Sequence, residues 1–456
     1  MDSKYFKELK NYSKSFLIEE LNEKIFDELL NKGFIVKSKE KSETRHEDCF
    51  KFDYVGLIIL NDIIIHCYPK YINDEKNIVN DFKEIVKVIK RYDDRKDKLN
   101  GIVEYGIRNI EEIPFNLISI MLFFIEDYYE NGVYTKFQEV IEINGNGEID
   151  WNRTVNENFP IIVNNKPYYT EFQTKSKFNN LFNYFRLLHE YIITECSNYL
   201  KNAGILDALG LTPIELSENI LDNFGQKDFI LNKISKALNL EFNSHKRKLL
   251  QLMYIYIKHE DSLSNENSMV LYGTFSYHVI WEDMCKVIFN DELENDKTLI
   301  DIIEKPNWIL DKKEYVADKS LIPDIITFHE YEEGKLDFII FDAKYYVYEI
   351  KGDKIYHQPG IRSVTKQYLY QLAYKDFIES HLFDKVKNAF LLPFDGEDVK
   401  NKGHVELNIL SKSCLQLENI QVILLPAHDV NQLYLKDEEM DISRLNLYDN
   451  EKDKEC

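Results

Sequence analysis

Apolar positions along this chain keep two alternating rhythms, one suited to helices and one to strands. FLIEELNEKIFDELLNKG has apolar residues at helical spacing and stops at Gly33, a glycine placed to end a helix. The rhythm then changes. FKFDYVGLIILNDIIIHCYPKYI (50–72) carries β-branched residues on two arms around Asn61-Asp62 and predicts a β-hairpin ended by Pro69. Helical spacing returns in DFKEIVKVIKRY (81–92), in FNLISIMLFFIEDYYENG (115–132), over 177–200 and over 228–259. EINGNGEIDWNRT (142–154) sets turn residues between apolar runs and reads as a surface loop.

The final third opens with a helix near YHVIWEDMCKVIF (277–289) and two strands, LIPDIITF and LDFIIFDAKYY. A helix over about 363–380 follows, then strands at NAFLLPF, HVELNIL and IQVILLPA. This order predicts a mixed α/β (α+β) protein. The expected divisions are an N-terminal αβ domain over 1–165, a helical linker domain over 166–270 and a C-terminal αβ domain over 271–435. A charged, mostly acidic and flexible tail is expected over 436–456.

Composition narrows the class. The 456 residues are 44% apolar and 13% aromatic, ample for burial in two or three globular domains. No run of about 18 uncharged apolar residues exists, so no membrane span is expected. MDSKYFKELKNYSK lacks the apolar core and cleavage site of a secretory leader. The six cysteines are scattered without a CxxC pair, which argues against a zinc ribbon or disulfide scaffold and fits a reducing cytoplasm. The net charge of −22 would repel nucleic acid. DNA handling therefore needs basic groups concentrated at one place.

The chemistry sits in LIPDIITFHEYEEGKLDFIIFDAKYY (321–346). A strand is an unfavourable place for a carboxylate unless something uses it. Strand alternation puts Asp324 on the face of Ile322 and Ile326, and puts Asp342 and Lys344 on one face. Antiparallel pairing of the two runs would bring Asp324 to Asp342 and Lys344. Two converging carboxylates make a hard-oxygen site suited to Mg²⁺, and an adjacent lysine stabilises charge on a phosphate undergoing attack. Asp-x-Lys alone says little, since others, such as those beginning at Asp74, Asp94 and Asp311, lie in charged stretches. The plain alternative for 342–344 is a salt bridge on an edge hairpin.

Flanking residues add to the pattern. Glu282 lies on the 277–289 helix. Gln367, Gln371 and Tyr374 fall on one face of the later helix, with Leu369, Leu372 and Phe377 as its expected buried side. Between them YVYEIKGDKIYHQPGIRSVTK supplies Lys351, Lys354, His357, Arg362 and Lys366, a local basic segment able to follow a DNA backbone. A solvated loop is the plain alternative.

The order helix-Glu, strand-Pro-Asp, strand-Asp-x-Lys, helix-Gln resembles the PD-(D/E)xK nuclease superfamily. By that resemblance Glu282, Asp324 and Asp342 are the acidic metal-site residues, Lys344 the catalytic lysine and Gln371 the helix glutamine. Lys351, Lys354, Arg362, Lys366 and Gln367 would contact DNA. The Gln371-to-Tyr374 spacing, QxxY, departs from the QxxxY of RecB-like members. The stretches DYVGLIIL, IIIHCYPKYI and GEIDWNRT also resemble segments of LlaJI-family restriction endonucleases and their McrC-like relatives. That resemblance implies a Mg²⁺-dependent restriction subunit acting on double-stranded DNA beside an McrB-like AAA+ GTPase. No GxxxxGK[ST] loop occurs here, so nucleotide chemistry is expected from another chain. A repair or recombination nuclease, and a non-catalytic regulatory subunit with a nuclease-like fold, are the alternative readings.

Overall fold

The computed structural model describes residues 2–41, 48–60, 63–96, 117–135, 137–179, 183–261, 269–407, 409 and 417–447. It has mixed α/β architecture, as expected, with several sheets and helices. The chain divides into two compact units, one of residues 1–98 with 271–456 and one of 99–270. The N-terminal region thus packs with the C-terminal third, unlike the expected division at 165 and 270. Long-range pairing is the reason: Asp283, buried on a C-terminal helix, takes Arg95 at 3.2 Å and Lys96 at 2.6 Å.

In the first unit, strands β1 (Asp2–Lys7), β2 (Val55–Leu60), β3 (Ile63–Tyr68) and β4 (Met269–Thr274) form one sheet in the order β1-β3-β2-β4. β2 and β3 are the antiparallel arms expected from the sequence, and β1 lies parallel to β3. The turn at Asn61-Asp62 lies outside the described residues. Gly56 has a structural reason to be glycine: at φ +136°, a Cβ there would lie 2.3 Å from the Tyr272 carbonyl oxygen on β4. The helix α1 (Ile78–Arg95) packs on this sheet through Phe82, Ile85, Val86 and Ile89.

The second sheet holds β5 (Ile325–Glu332), β6 (Lys335–Ala343), β7 (Lys385–Phe394), β8 (Lys400–Val405) and β9 (Ile420–Pro426), in the order β5-β6-β7-β9-β8. β5 is antiparallel to β6, while β6, β7 and β9 run parallel. Helices cover both faces, which is why β6 reads as a nearly continuous apolar run. Helix α2 (Tyr277–Ile288) buries Tyr277, Ile280, Trp281, Met284, Cys285 and Ile288, an amphipathic stripe. Just beyond it, Phe289 meets Phe341 of β6 at 4.8 Å between ring centroids. On the other face, helix α3 (Ile361–Ala373) and the following Tyr374 set Tyr370 and Tyr374 against Ile326, Phe338 and Ile340.

Several expectations need correction. The first predicted helix is two, Lys14–Leu21 and Glu23–Asn31, because Asn22 adopts φ 67° and its side chain caps the Ile25 amide. HVELNIL is not a strand throughout; β8 ends at Val405. Helix α4 (Ala427–Lys436) follows β9 where none was predicted. The expected flexible tail is packed as far as Leu447. Met440, Ile442, Leu445 and Leu447 are buried, and Gln421 and Asn401 donate to the carbonyls of Leu447 and Asn446. Residues 448–456 lie outside the described residues.

The second unit contains helices Leu117–Asn131, Tyr184–Asn202, Lys227–Leu238 and Ser244–His259, with a three-stranded sheet of Phe137–Ile143, Gln173–Asn179 and Glu148–Ile149. The helical rhythm read from 177 thus begins on a strand, and the rhythm over 228–259 is two helices. The 142–154 loop contains a short strand and the start of helix Trp151–Glu157, capped by Asp150. Trp151 stays exposed and stands edge-on to Phe172 at 5.8 Å.

Candidate active site

The register of β5 with β6 pairs Ile325 with Phe341. Asp324 lies one residue beyond that pair, close enough to Asp342 for the two carboxyl groups to interact. Lys344 follows β6 by one residue, and its amide donates to the Leu391 carbonyl of β7 at 2.9 Å. Its ammonium lies 2.7 Å from Asp342 Oδ2 and 3.4 Å from Asp324 Oδ2. Pairing thus brings the two carboxylates and the amine together on the α3 side of the sheet.

The electrostatics of this trio are strained. Burial pushes the Asp342 carboxyl up to about 8, the Asp324 charge adds to the rise, and Lys344 opposes it. For Lys344, burial disfavours the ammonium, but Asp342 and Asp324 outweigh it and its pKa is raised. A half-buried amine is therefore held charged beside a carboxyl that resists ionisation. A multivalent cation would relieve that resistance by favouring both ionised carboxylates.

Glu282 does not join the trio. On α2 it pairs with Lys286 at 3.0 Å, one helical turn on. Burial disfavours the Lys286 ammonium, but Glu282 first, then Asp291 and Asp324, outweigh it and raise its pKa. Glu282 is thus near the site electrostatically but occupied by its own lysine. Among the described residues, no group of three or more His, Cys, Asp or Glu side chains is arranged to hold a metal ion. The residues that do converge, two carboxylates, fit Mg²⁺, which is commonly held by one or two carboxylates and completed by water and phosphate.

Helix α3 follows the sequence reading only in part. Phe377 packs against the core as expected, but Leu369 is exposed, Leu372 is intermediate, and Gln367, Gln371 and Tyr374 face inward. The buried polar side is held by hydrogen bonds: Tyr374 donates to the Leu299 carbonyl and Tyr370 to that of Ile322, both at 2.8 Å. The Gln371 amide donates to the Glu418 carbonyl and accepts from the Glu418 amide, both at 2.9 Å, so its side chain is spent on backbone. Gln367 is fully buried, and among the described residues its side-chain amide has no hydrogen-bond partner. It is not placed to touch a DNA backbone. Lys351, Lys354, Arg362 and Lys366 are exposed. The first two stand on a hairpin of Glu349–Lys351 and Lys354–Tyr356, where Lys351 pairs with Glu349 at 2.7 Å.

Residues 54–428 match the family described as LlaJI restriction endonuclease. This chain belongs to that family. The LlaJI-family chain is 29% identical over 448 residues to the type II restriction enzyme BsuMI component YdjA of Bacillus subtilis strain 168, covering 95% of this chain and 90% of the relative. Among solved structures it overlaps a chain of a half-complex of Thermococcus gammatolerans McrB AAA+ hexamers with bound McrC, at 11% identity and a TM-score of 0.37, covering 95% of this chain and 99% of that one. A second overlap, with the McrBC complex of the same organism, has 13% identity and a TM-score of 0.23, covering 56% and 79%.

One site residue of this LlaJI-family chain escaped the sequence reading. Tyr370 stands within range of both carboxylates: burial raises its pKa, and the charges of Asp324 and Asp342 raise it further. Its hydroxyl fixes Ile322, two residues before Asp324. Its helical spacing, three residues from Gln367, is the signal in the sequence that points to it.

Proposed function

We propose that this chain is the DNA-cutting subunit of a restriction system, with a PD-(D/E)xK nuclease core. In this reading it hydrolyses phosphodiesters in double-stranded DNA with Mg²⁺ and acts beside an McrB-like AAA+ GTPase. The observation that carries the reading is the convergence of Asp324, Asp342 and Lys344 at the paired ends of β5 and β6. Asp324 and Asp342 would hold the Mg²⁺ ion, whose chemistry when bound is to polarise a phosphoryl oxygen and acidify water. Lys344 presents a fixed positive charge to the phosphate where negative charge accumulates during attack. Glu282 would support the site from α2, and the exposed Lys351, Lys354, Arg362 and Lys366 would follow the DNA backbone. The GTPase partner is proposed on the N-terminal motifs and on the missing phosphate-binding loop.

Purified chain with Mg²⁺, DNA and the partner GTPase is expected to cut, and Lys344→Ala is expected not to. Parental cutting rates in Lys344→Ala would overturn the assignment. Independently of activity, Mg²⁺ is expected to raise the melting temperature of the parent and leave that of Asp342→Asn unchanged.

A further inference from the structure

Tyr345, the residue after Lys344, is almost fully buried and is held by the N-terminal sheet. Its hydroxyl donates to Glu8 Oε2 at 2.6 Å, and the same oxygen accepts the Lys70 amide at 3.1 Å. Lys70 places its ammonium 4.1 Å from the centre of the Tyr345 ring. Glu8 in turn extends β1, its amide donating to the Tyr68 carbonyl at 2.8 Å. Tyr277 of α2 and Tyr71 pack against the Tyr345 ring at 5.4 and 6.1 Å between centroids. Four side chains, from the ends of β1 and β3 and from α2, therefore meet on Tyr345.

Burial of these polar groups is unfavourable on its own. Burial raises the Glu8 pKa and lowers that of Lys70. An apolar contact would close the same gap with less desolvation. What the polar version adds is direction: one carboxylate oxygen fixes the tyrosine hydroxyl, and one ammonium fixes the ring plane. Beyond Ala343 the backbone leaves β6, and the Lys344 amide keeps a single bond to Leu391, whose carbonyl also accepts the Trp281 indole at 3.3 Å. Immobilising Tyr345 fixes the other side of the Lys344 backbone. The flexible lysine stem thereby starts from one place, and its ammonium reaches both carboxylates.

We propose that Glu8, Lys70 and Tyr345 are positioning residues that hold Lys344 in register with Asp324 and Asp342. The Pro69-Lys70 end of the N-terminal hairpin is then part of the nuclease machinery. This rests on the nuclease reading above, and the test separates the two.

Full-length Tyr345→Phe, Glu8→Gln, Lys70→Met and Lys70→Arg proteins would be assayed on DNA with Mg²⁺ and the partner. Hydrogen exchange over residues 343–347 would be followed in the same proteins. Tyr345→Phe and Lys70→Met are expected to lower kcat by about 10- to 100-fold with KM nearly unchanged, the scale on which small misplacements act. Lys70→Arg is expected to restore most of the rate, and exchange over 343–347 is expected to quicken in the slow variants. A lower melting temperature with unchanged kcat below it, or unchanged exchange over 343–347, would overturn the proposal. Should Tyr345→Phe fail to fold, the isosteric Glu8→Gln carries the test. A parent that does not cut DNA, yet whose variants exchange faster at 343–347, would sink the nuclease reading and leave the holding role of this contact standing.

Discussion

Two lysines of this protein stand just past the end of a buried strand, and their fates differ. Lys344 follows β6 and Lys70 follows β3. Burial penalises both ammonium groups. At Lys344 two carboxylates within ion-pair distance reverse the penalty, and its pKa rises. At Lys70 burial dominates the opposing charges of Glu8 and Asp53, and its pKa falls. Its own partner is an aromatic face. The same residue at the same kind of position thus becomes a fixed charge in one place and a packing element in the other. The deciding variable is contact: both acids lie within ion-pair distance of the Lys344 ammonium, while Glu8 and Asp53 do not outweigh the burial of Lys70. Cross-strand register helps set that contact, since the pairing of Ile325 with Phe341 carries Asp324 toward Asp342.

The contrast is open to direct attack. The largest effect is expected from Lys344→Met, which should reduce DNA cleavage by about 10³-fold or more, against the modest loss expected for Lys70→Met. Equal losses in the two variants would erase the distinction between a charge used by the chemistry and a charge used for packing.

Asp342→Asn comes next, measured by melting temperature in metal-free buffer. The folded carboxyl is raised from 3.8 to about 8, so the fold favours its protonated form. Its contribution to stability is full below the unfolded value and is lost as pH rises through about 8. The variant should therefore gain on the parent as pH rises from about 5 to about 9. A gap that stays constant with pH would mean that Asp342 is not desolvated.

Smaller effects are expected from the two glutamines of α3. Gln371→Leu should destabilise the fold by about 1 kcal/mol by stripping both backbone groups of Glu418 of their partner. Gln367→Leu removes an amide that has no partner among the described residues and should be neutral or stabilising. Thermal melts of the two variants would rank them, and the reverse order would refute the placement of α3.

The finest distinction is the sign of the alkaline response. A raised lysine pKa gives stability that is full below 10.5 and lost as pH rises through the folded value, which is the case for Lys344. A lowered one gives stability that is present above 10.5 and lost as pH falls through the folded value, which is the case for Lys70. Between about pH 9 and pH 11 the melting deficit of Lys344→Met should shrink while that of Lys70→Met grows.

Local pattern in the chain is enough to specify most of the elements and the faces of the trio. Alternation along two apolar runs marked the faces of Asp324, Asp342 and Lys344, because side-chain direction in a strand is a local property. The hairpin 50–72 was legible for the same reason, and the family resemblance rested on motifs that are contiguous in the chain. Tertiary structure alone decided the rest. Which face of α3 turns inward was not legible, because buried Tyr374, Tyr370 and Gln371 satisfy themselves on distant carbonyls of Leu299, Ile322 and Glu418, and periodicity scores such residues as exposed. Glu282 looked available until the structure gave it Lys286. The packing of residues 1–98 with the C-terminal third, and the grip of Glu8 and Lys70 on Tyr345, depend on contacts separated by hundreds of residues. No local pattern encodes such contacts, because they come into being only when non-local strands and helices meet.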